Sequence, residues 1–352
     1  MPTFTADYLQ RVTYHVLRAA RVGEDDARLV AERIIGANLA GHDSHGIMLL
    51  STYIDRINKG HIVPGAPTEV LDETPTSFRV DGHWEFGYVV STRAMERLIA
   101  KAKEQNIAAA TVFHQGHVGR VATYPLMAAR EGLIGFMTAD SGGSPKHVAP
   151  FGGSDRRLGT NPLCMAFPSD TPSPMFIDMA TSAVAAGKVQ LARSRGHAIP
   201  EGWVVNKDGR PTTDPNDFYA GGAIQPLGGP EGHKGYGLSV MVETLSGLLT
   251  GIGFGDDPAG RHNDGSFMMA VKVEAFRPLA QFRKDVAEFA DYLKASPLAT
   301  GFSEILYPGE IEYRTEQQRL RDGVEVDDAT WQEVWRLVQE HGLEAAVGSD
   351  GA

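Results

Sequence analysis

Ile107-Ala108-Ala109-Ala110-Thr111-Val112-Phe113-His114-Gln115-Gly116-His117-Val118-Gly119-Arg120 begins as a mostly apolar run and ends with two histidines among glycines. Its first seven residues suit a short buried strand. A helical pattern precedes them over about 91–105, and a helix (about 122–131) and a strand (134–138) follow. Residues 77–81 alternate as a strand before a turn at Gly82, and 267–273 read as a further sheet strand. Strands alternating with helices imply an α/β layer architecture. The segment from His114 to Arg120 then falls at the end of a strand, the place that faces the ligand crevice in an open α/β sheet. A loop cap made by these histidines is the plainer alternative.

Both ends of the chain are helical in pattern. Thr5 suits an N-cap for a helix over 6–21, with Leu9, Val12, Val16 and Leu17 on one stripe. Ala27, Val30, Ile34 and Ile35 continue the pattern over 25–40, and a third helix is expected from about 44 to 58, ending at Gly60. Near the other end, Phe282, Val286, Phe289 and Leu293 share a face, as do Trp331, Val334, Trp335 and Val338. These stripes read as packing surfaces. Helices at both termini around an α/β middle imply that the two ends meet in one lobe.

A chain of 352 residues can bury a sizeable core and points to two lobes. Its net charge of −11 argues against a nucleic-acid partner, which needs a concentrated basic surface. The single cysteine, Cys164, cannot form an intrachain disulfide and fits a reducing compartment. Residues 1–7 lack the basic and apolar regions of a signal peptide, and no apolar run approaches the ~18 residues of a membrane span. A cytoplasmic protein without a membrane partner is expected.

Three kinds of segment could carry chemistry. Gly41-His42-Asp43-Ser44-His45-Gly46 sets an imidazole beside a hydroxyl and a carboxylate. An imidazole titrates near neutral pH and can serve as acid or base; equally, Asp43 or Ser44 could merely cap the next helix. The pairs His42/His45 and His114/His117 invite a metal reading, but no Glu-x-x-His or cysteine pattern supports it, and no metal is expected. Glycine-rich zones at Pro150–Gly153, Leu158–Pro162 and Gly228–Gly237, with the Phe176–Ser182 strand end, could bring backbone amides close to a phosphate. Neither a P-loop nor a Rossmann Gly-x-Gly-x-x-Gly is present between a strand and a helix.

In order along the chain, these segments resemble the malate/L-lactate dehydrogenase family, which also holds sulfolactate, ureidoglycolate and diketogulonate enzymes. The matches are Asp43-Ser44-His45-Gly46, His117-x-Gly119, Pro150-Phe151-Gly152-Gly153, Leu158-Gly159-Thr160-Asn161-Pro162, Asp178-x-Ala180-Thr181-Ser182, Gly187-Lys188, His233-Lys234-Gly235 and Pro308-Gly309-Glu310. Within the family, Gly41–Ile47, Glu231-x-His233-Lys234-Gly235-Tyr236 and Leu293-Lys294-Ala295-Ser296-Pro297 look most like the hydroxycarboxylate dehydrogenase B subgroup.

The resemblance implies an α/β fold with a non-Rossmann, mixed-sheet NAD(P)-binding domain and a helical lobe built from both termini. The expected division is 1–115 plus 277–352 for the helical, substrate-binding lobe and 116–276 for the dinucleotide lobe. It implies a homodimer that interconverts 2-oxo and 2-hydroxy acids with NAD or NADP. Its proton donor maps to His45, supported by Ser44, and its second catalytic histidine to His117. Cofactor contacts map to His45, Gly119, Arg120, Val121, Met175, Phe176, Ile177, Asp178, Met179, Ala180, His233, Lys234, Gly309, Glu310 and Ile311.

One position departs from the family. Many members carry an arginine five residues after the motif serine, where it can grip the substrate carboxylate; here that residue is Leu49. On a helix over 44–58, His45, Leu49 and Tyr53 would share a face at i, i+4 and i+8. That face would suit a bulky or aromatic acid, with Arg120 or Lys146 left to meet the carboxylate. A ketimine or ureido-acid oxidoreductase on the same scaffold is the alternative within the enzyme class, and a metal-dependent hydrolase the alternative outside it.

Overall fold

A computed structural model describes residues 1–143, 145–255 and 261–349. The two ends of the chain do meet. Thr5 caps the helix Ala6–Ala19 by accepting from Tyr8 N at 3.2 Å. The stripe Leu9, Val12, Val16 and Leu17 is fully buried, and Val30, Ile34 and Ile35 of Glu24–Leu39 join it. Val334, Leu337 and Val338 of the helix Asp328–Glu340 complete the same core, which also takes in Ile47, Leu50, Tyr53, Phe86 and Tyr88. Each such aliphatic side chain contributes roughly 1.5–3 kcal/mol on burial. A short antiparallel pairing of Thr3–Phe4 with Val324–Glu325 ties the ends together. The helix Leu279–Lys294 forms as its stripe implies, but that face is not enclosed: Phe282, Val286 and Leu293 are half-buried and Phe289 is exposed.

The middle of the chain is a mixed seven-stranded sheet. Its order is Glu69–Glu73, Ser77–Asp81, Ile107–Phe113, Asn263–Lys272, Leu133–Gly142, Leu163–Phe167 and Met175–Met179. Only the Ser77–Asp81 and Ile107–Phe113 pair is parallel; every other neighbour runs antiparallel. A doubly wound dinucleotide sheet is mostly parallel, so the missing Rossmann fingerprint and the topology agree. The helices Gly87–Gln105 and Thr123–Arg130 pack on the sheet through Met95, Leu98, Tyr124 and Ala128, against small strand residues such as Ala108, Ala110, Ala139 and Ala270. The late strand Asn263–Lys272 inserts between Ile107–Phe113 and Leu133–Gly142, with Ser266 facing Val112 and Ala139 in register. It starts four residues earlier than its apolar run, and Asn263, Asp264 and Ser266 are buried polar residues of that extension. A separate small core of Val148, Leu158, Val189, Val204, Phe218 and Ile224 supports a three-stranded sheet beside the main one.

The third helix differs from expectation. The chain makes two 3₁₀ turns, Asp43–His45 and Ile47–Leu49, before the α-helix Leu50–Asn58. The cause is Asn38. Its side chain accepts from Ile47 N at 2.8 Å and donates to Asp43 Oδ1 at 2.7 Å, pulling the backbone out of a continuous helix. Gly46 sits against that carboxamide, where a Cβ would overlap it.

Candidate active site

The Ile107–Phe113 strand delivers His117 to a loop that is fastened from several sides. Val118 N donates to Asp264 Oδ2 at 2.9 Å, and Gly116 N to the Glu85 carbonyl at 2.9 Å. Gln115 is fully buried, donating to Ser266 Oγ and accepting from Ser91 Oγ. Gly119 then turns with φ +70° against the Tyr88 ring, a conformation and a contact that both require glycine.

Tyr53, buried on the helix Leu50–Asn58, brings its Oη within 2.8 Å of His117 Nδ1 and 3.1 Å of Tyr88 Oη. His45 lies beside His117, the ring centroids 5.6 Å apart and the planes inclined by 20°. Ser44 Oγ is 3.0 Å from His45 Nδ1. Asp43 does not orient the imidazole; it receives Arg319 Nη1 and Nη2 at 2.6 and 2.9 Å and holds the turn instead. Burial lowers the pKa of His45, opposed by the Asp178 carboxylate, and holds that of His117 down at about 3, opposed by Asp264. Both rings are therefore neutral at neutral pH.

The two imidazoles face a cavity of about 570 Å³, within the range of small-molecule sites. Its lining includes part of a buried charge cluster, with Lys146 Nζ 3.3 Å from Asp140 Oδ1 and 3.5 Å from Glu243 Oε1. Burial pushes Asp140 up to about 7 against the pull of the Lys146 ammonium, and the Glu243 carboxylate adds to that push. Arg56, Asn161, His262 and Asp264 also line the cavity, with His262 Nε2 2.8 Å from Asp264 Oδ1. Among the described residues, no group of three or more His, Cys, Asp or Glu is arranged to hold a metal ion.

The candidate residues of the sequence lie in several separate places. His45, His117, Gly119 and Val121 line the cavity. Arg120, Phe176, Asp178 and Gly309 form a second neighbourhood whose Asp178 and Arg120 charges are felt at His45. There the Arg120 guanidinium lies 5.3 Å over the Phe176 ring, with its Nε 3.9 Å from Asp178, and Asp178 Oδ2 accepts from Ala122 N at 2.9 Å. Met175, Ile177 and Met179 lie with them on the sheet's edge strand, and Ala180 follows it. Phe176 occupies the space a Cβ on Gly309 would need.

Glu310 points elsewhere, bound by Lys294 and Arg314 in a cleft beside the helix Leu279–Lys294, and Ile311 is exposed. His233 and Lys234 open the helix His233–Glu243 at an exposed corner, where Lys234 pairs with Glu231 at 3.0 Å. The opposite end of that helix, roughly 15 Å along its axis, reaches the cavity's charge cluster through Glu243. Leu49 packs on the helical core and is not among the cavity-lining residues.

Arg56, Asp140, His262 and Asp264 line the cavity without a local motif in the sequence that marks them. Asn161, also on the cavity wall, lies in the glycine-rich segment Leu158–Pro162.

A family model described as malate/L-lactate dehydrogenase matches residues 4–335. A malate dehydrogenase of Pyrococcus horikoshii is 36% identical over 346 residues, covering 96% of this chain and 95% of that protein. Hydroxycarboxylate dehydrogenase B of Escherichia coli K12 is 33% identical, covering 97% and 94%. The crystal structure of malate dehydrogenase from Entamoeba histolytica superposes with a TM-score of 0.92 at 33% identity, covering 97% of this chain and 98% of that one. Matched along nearly its whole length in both sequence and fold, the chain belongs to the malate/L-lactate dehydrogenase family of hydride-transferring oxidoreductases.

Proposed function

We propose that the chain interconverts a 2-oxo and a 2-hydroxy carboxylic acid in the cavity between His45 and His117, using NAD or NADP. The observation that carries this reading is the pair of neutral imidazoles on one cavity wall, each with its Nδ1 already engaged. The wall also fits a nicotinamide. Asn161 Oδ1 and Asp140 Oδ2 are buried with no hydrogen-bond partner among the described residues, and a carboxamide NH₂ is a donor suited to both. The cofactor, when bound, supplies the hydride donor or acceptor at its C4.

The protein's part follows from the tautomers. His45 Nδ1–H donating to Ser44 Oγ leaves Nε2 as the acceptor that takes the substrate hydroxyl proton in oxidation; in reduction the ring first takes a proton from solvent and, as the imidazolium, gives it from Nε2 to the developing alkoxide. Tyr53 O–H donating to His117 Nδ1 leaves an Nε2–H that polarises the substrate carbonyl. One imidazole is thus set as base and the other as hydrogen-bond donor. Arg120, Phe176, Asp178 and Gly309 are assigned to the cofactor side of His45, with Gly119 and Val121 between.

Leu238, Met241, Leu248 and Leu249 are 43%, 56%, 51% and 56% exposed along one helical stretch, an apolar stripe that a second copy would cover in a homodimer. The lobe division, 1–115 plus 277–352 against 116–276, is supported by the core joining the termini, although the strands Ser77–Asp81 and Ile107–Phe113 pair into the common sheet. A reducing, cytoplasmic setting suits the lone buried Cys164.

The test is reduction of pyruvate, oxaloacetate, phenylpyruvate and a cyclic imino acid with NADH and NADPH, followed by absorbance at the nicotinamide band. Turnover of at least one oxo acid is expected; turnover of none, or of the imino acid alone, would overturn the reading.

A further inference from the structure

We propose that Arg56 grips the carboxylate of the substrate. The assignment rests on the oxo-acid reading above and supplies the anion partner that Leu49 cannot.

A 2-oxo acid enters ionised, and its carboxylate needs a cation once water is excluded. The cationic groups around the site are mostly committed. Lys146 lies between two carboxylates, Asp140 and Glu243. Lys59 is paired with Asp55 at 2.7 Å, and His262 with Asp264 at 2.8 Å. Arg120 stacks on Phe176 with its Nε 3.9 Å from Asp178, and it is not among the residues that line the cavity. The Arg56 guanidinium lines the cavity and forms no hydrogen bond or ion pair with any described residue. It offers a planar fork of N–H donors matched to a carboxylate.

Its placement suits the chemistry. Arg56 follows Tyr53 by three residues on the helix Leu50–Asn58, so both side chains project from one face. Tyr53 fixes His117, and the Arg56 charge is felt at both Tyr53 and His117. That helix face would position the carbonyl's hydrogen-bond donor, His117, through Tyr53 and supply the carboxylate's partner directly, as the adjacent carbonyl and carboxylate of a 2-oxo acid require.

The test compares wild-type protein with R56M and R56K on pyruvate, oxaloacetate and phenylpyruvate, and on pyruvamide, which keeps the carbonyl but lacks the charge. R56M should raise KM for the acids on the order of 10²-fold while kcat changes far less, with pyruvamide kinetics unaltered. R56K, keeping charge but losing the fork, should fall between. If R56M melts below wild type, R56K carries the same acid-against-amide comparison at roughly tenfold. An active wild type whose R56M variant handles the acids within about twofold, or loses acid and amide equally, overturns the assignment alone. A wild type that reduces none of the acids overturns the underlying reading as well.

Discussion

Replacing Tyr53 by phenylalanine removes one oxygen and tests whether the tyrosine pair sets the state of His117. In the wild type, Tyr53 Oη sits 2.8 Å from His117 Nδ1 and 3.1 Å from Tyr88 Oη, all in the interior beneath the cavity. The substitution keeps the ring, so packing against Phe86 is retained. It leaves two buried polar groups without their shared partner, at about 1–3 kcal/mol for each one left unsatisfied. A net loss of roughly 2 kcal/mol should lower the melting temperature by a few degrees. Catalysis should suffer separately. Without the phenol, nothing favours the His117 tautomer that carries its proton on Nε2. A bias of about 1–3 kcal/mol corresponds to a fall in kcat of roughly 10–100-fold. Steady-state kinetics beside a thermal melt read the two effects independently. A Y53F protein that melts lower yet keeps kcat within twofold would refute the tautomer argument and leave Tyr53 a packing residue.

Other consequences follow from the same geometry. His117 is held neutral to about pH 3, so between there and 6.5 the unfolded chain binds the extra proton; its contribution to stability is present above 6.5 and lost as pH falls. Asp140, raised to about 7, has the opposite sign: the folded state holds the proton, and stability is lost as pH rises from 3.8 towards 7. Urea melts across that range should show that H117F relieves the acid-side loss while D140N relieves the loss towards neutral pH; parallel curves for both variants and the wild type would contradict both assignments. K146M leaves Asp140 and Glu243 buried together without their cation, and should destabilise the protein by about 3–5 kcal/mol in denaturant melts, less at acid pH where the carboxylates protonate.

The parts legible in the sequence are those written in local pattern. The buried stripe of Ala6–Ala19 and its Thr5 cap follow from helical period and capping chemistry. The strand Ile107–Phe113 and the chemistry-bearing turn after it follow from an apolar run ending in His-Gln-Gly-His. What could not be read depends on distant partners. Nothing local shows that Asn263–Lys272 pairs between two earlier strands, and that insertion delivers Asp264 to the His117 loop. The helix expected over 44–58 breaks because Asn38, from the preceding helix, binds Ile47 N and Asp43. The i, i+4, i+8 face drawn through His45, Leu49 and Tyr53 fails for the same reason, and Leu49 turns into the helical core. The open guanidinium of Arg56 is a property of the whole cavity wall, since it depends on every neighbouring anion being taken by another cation.

The central claim is that His45 is the acid/base group of a hydride transfer assisted by His117. The most direct measurement is kcat of His45→Ala against wild type, with the oxo acid that the wild type reduces best and with NADH binding followed by fluorescence. The predicted result is a fall in kcat on the order of 10²–10⁴, with NADH affinity lowered far less than kcat. Near wild-type turnover in a His45→Ala protein would contradict the account.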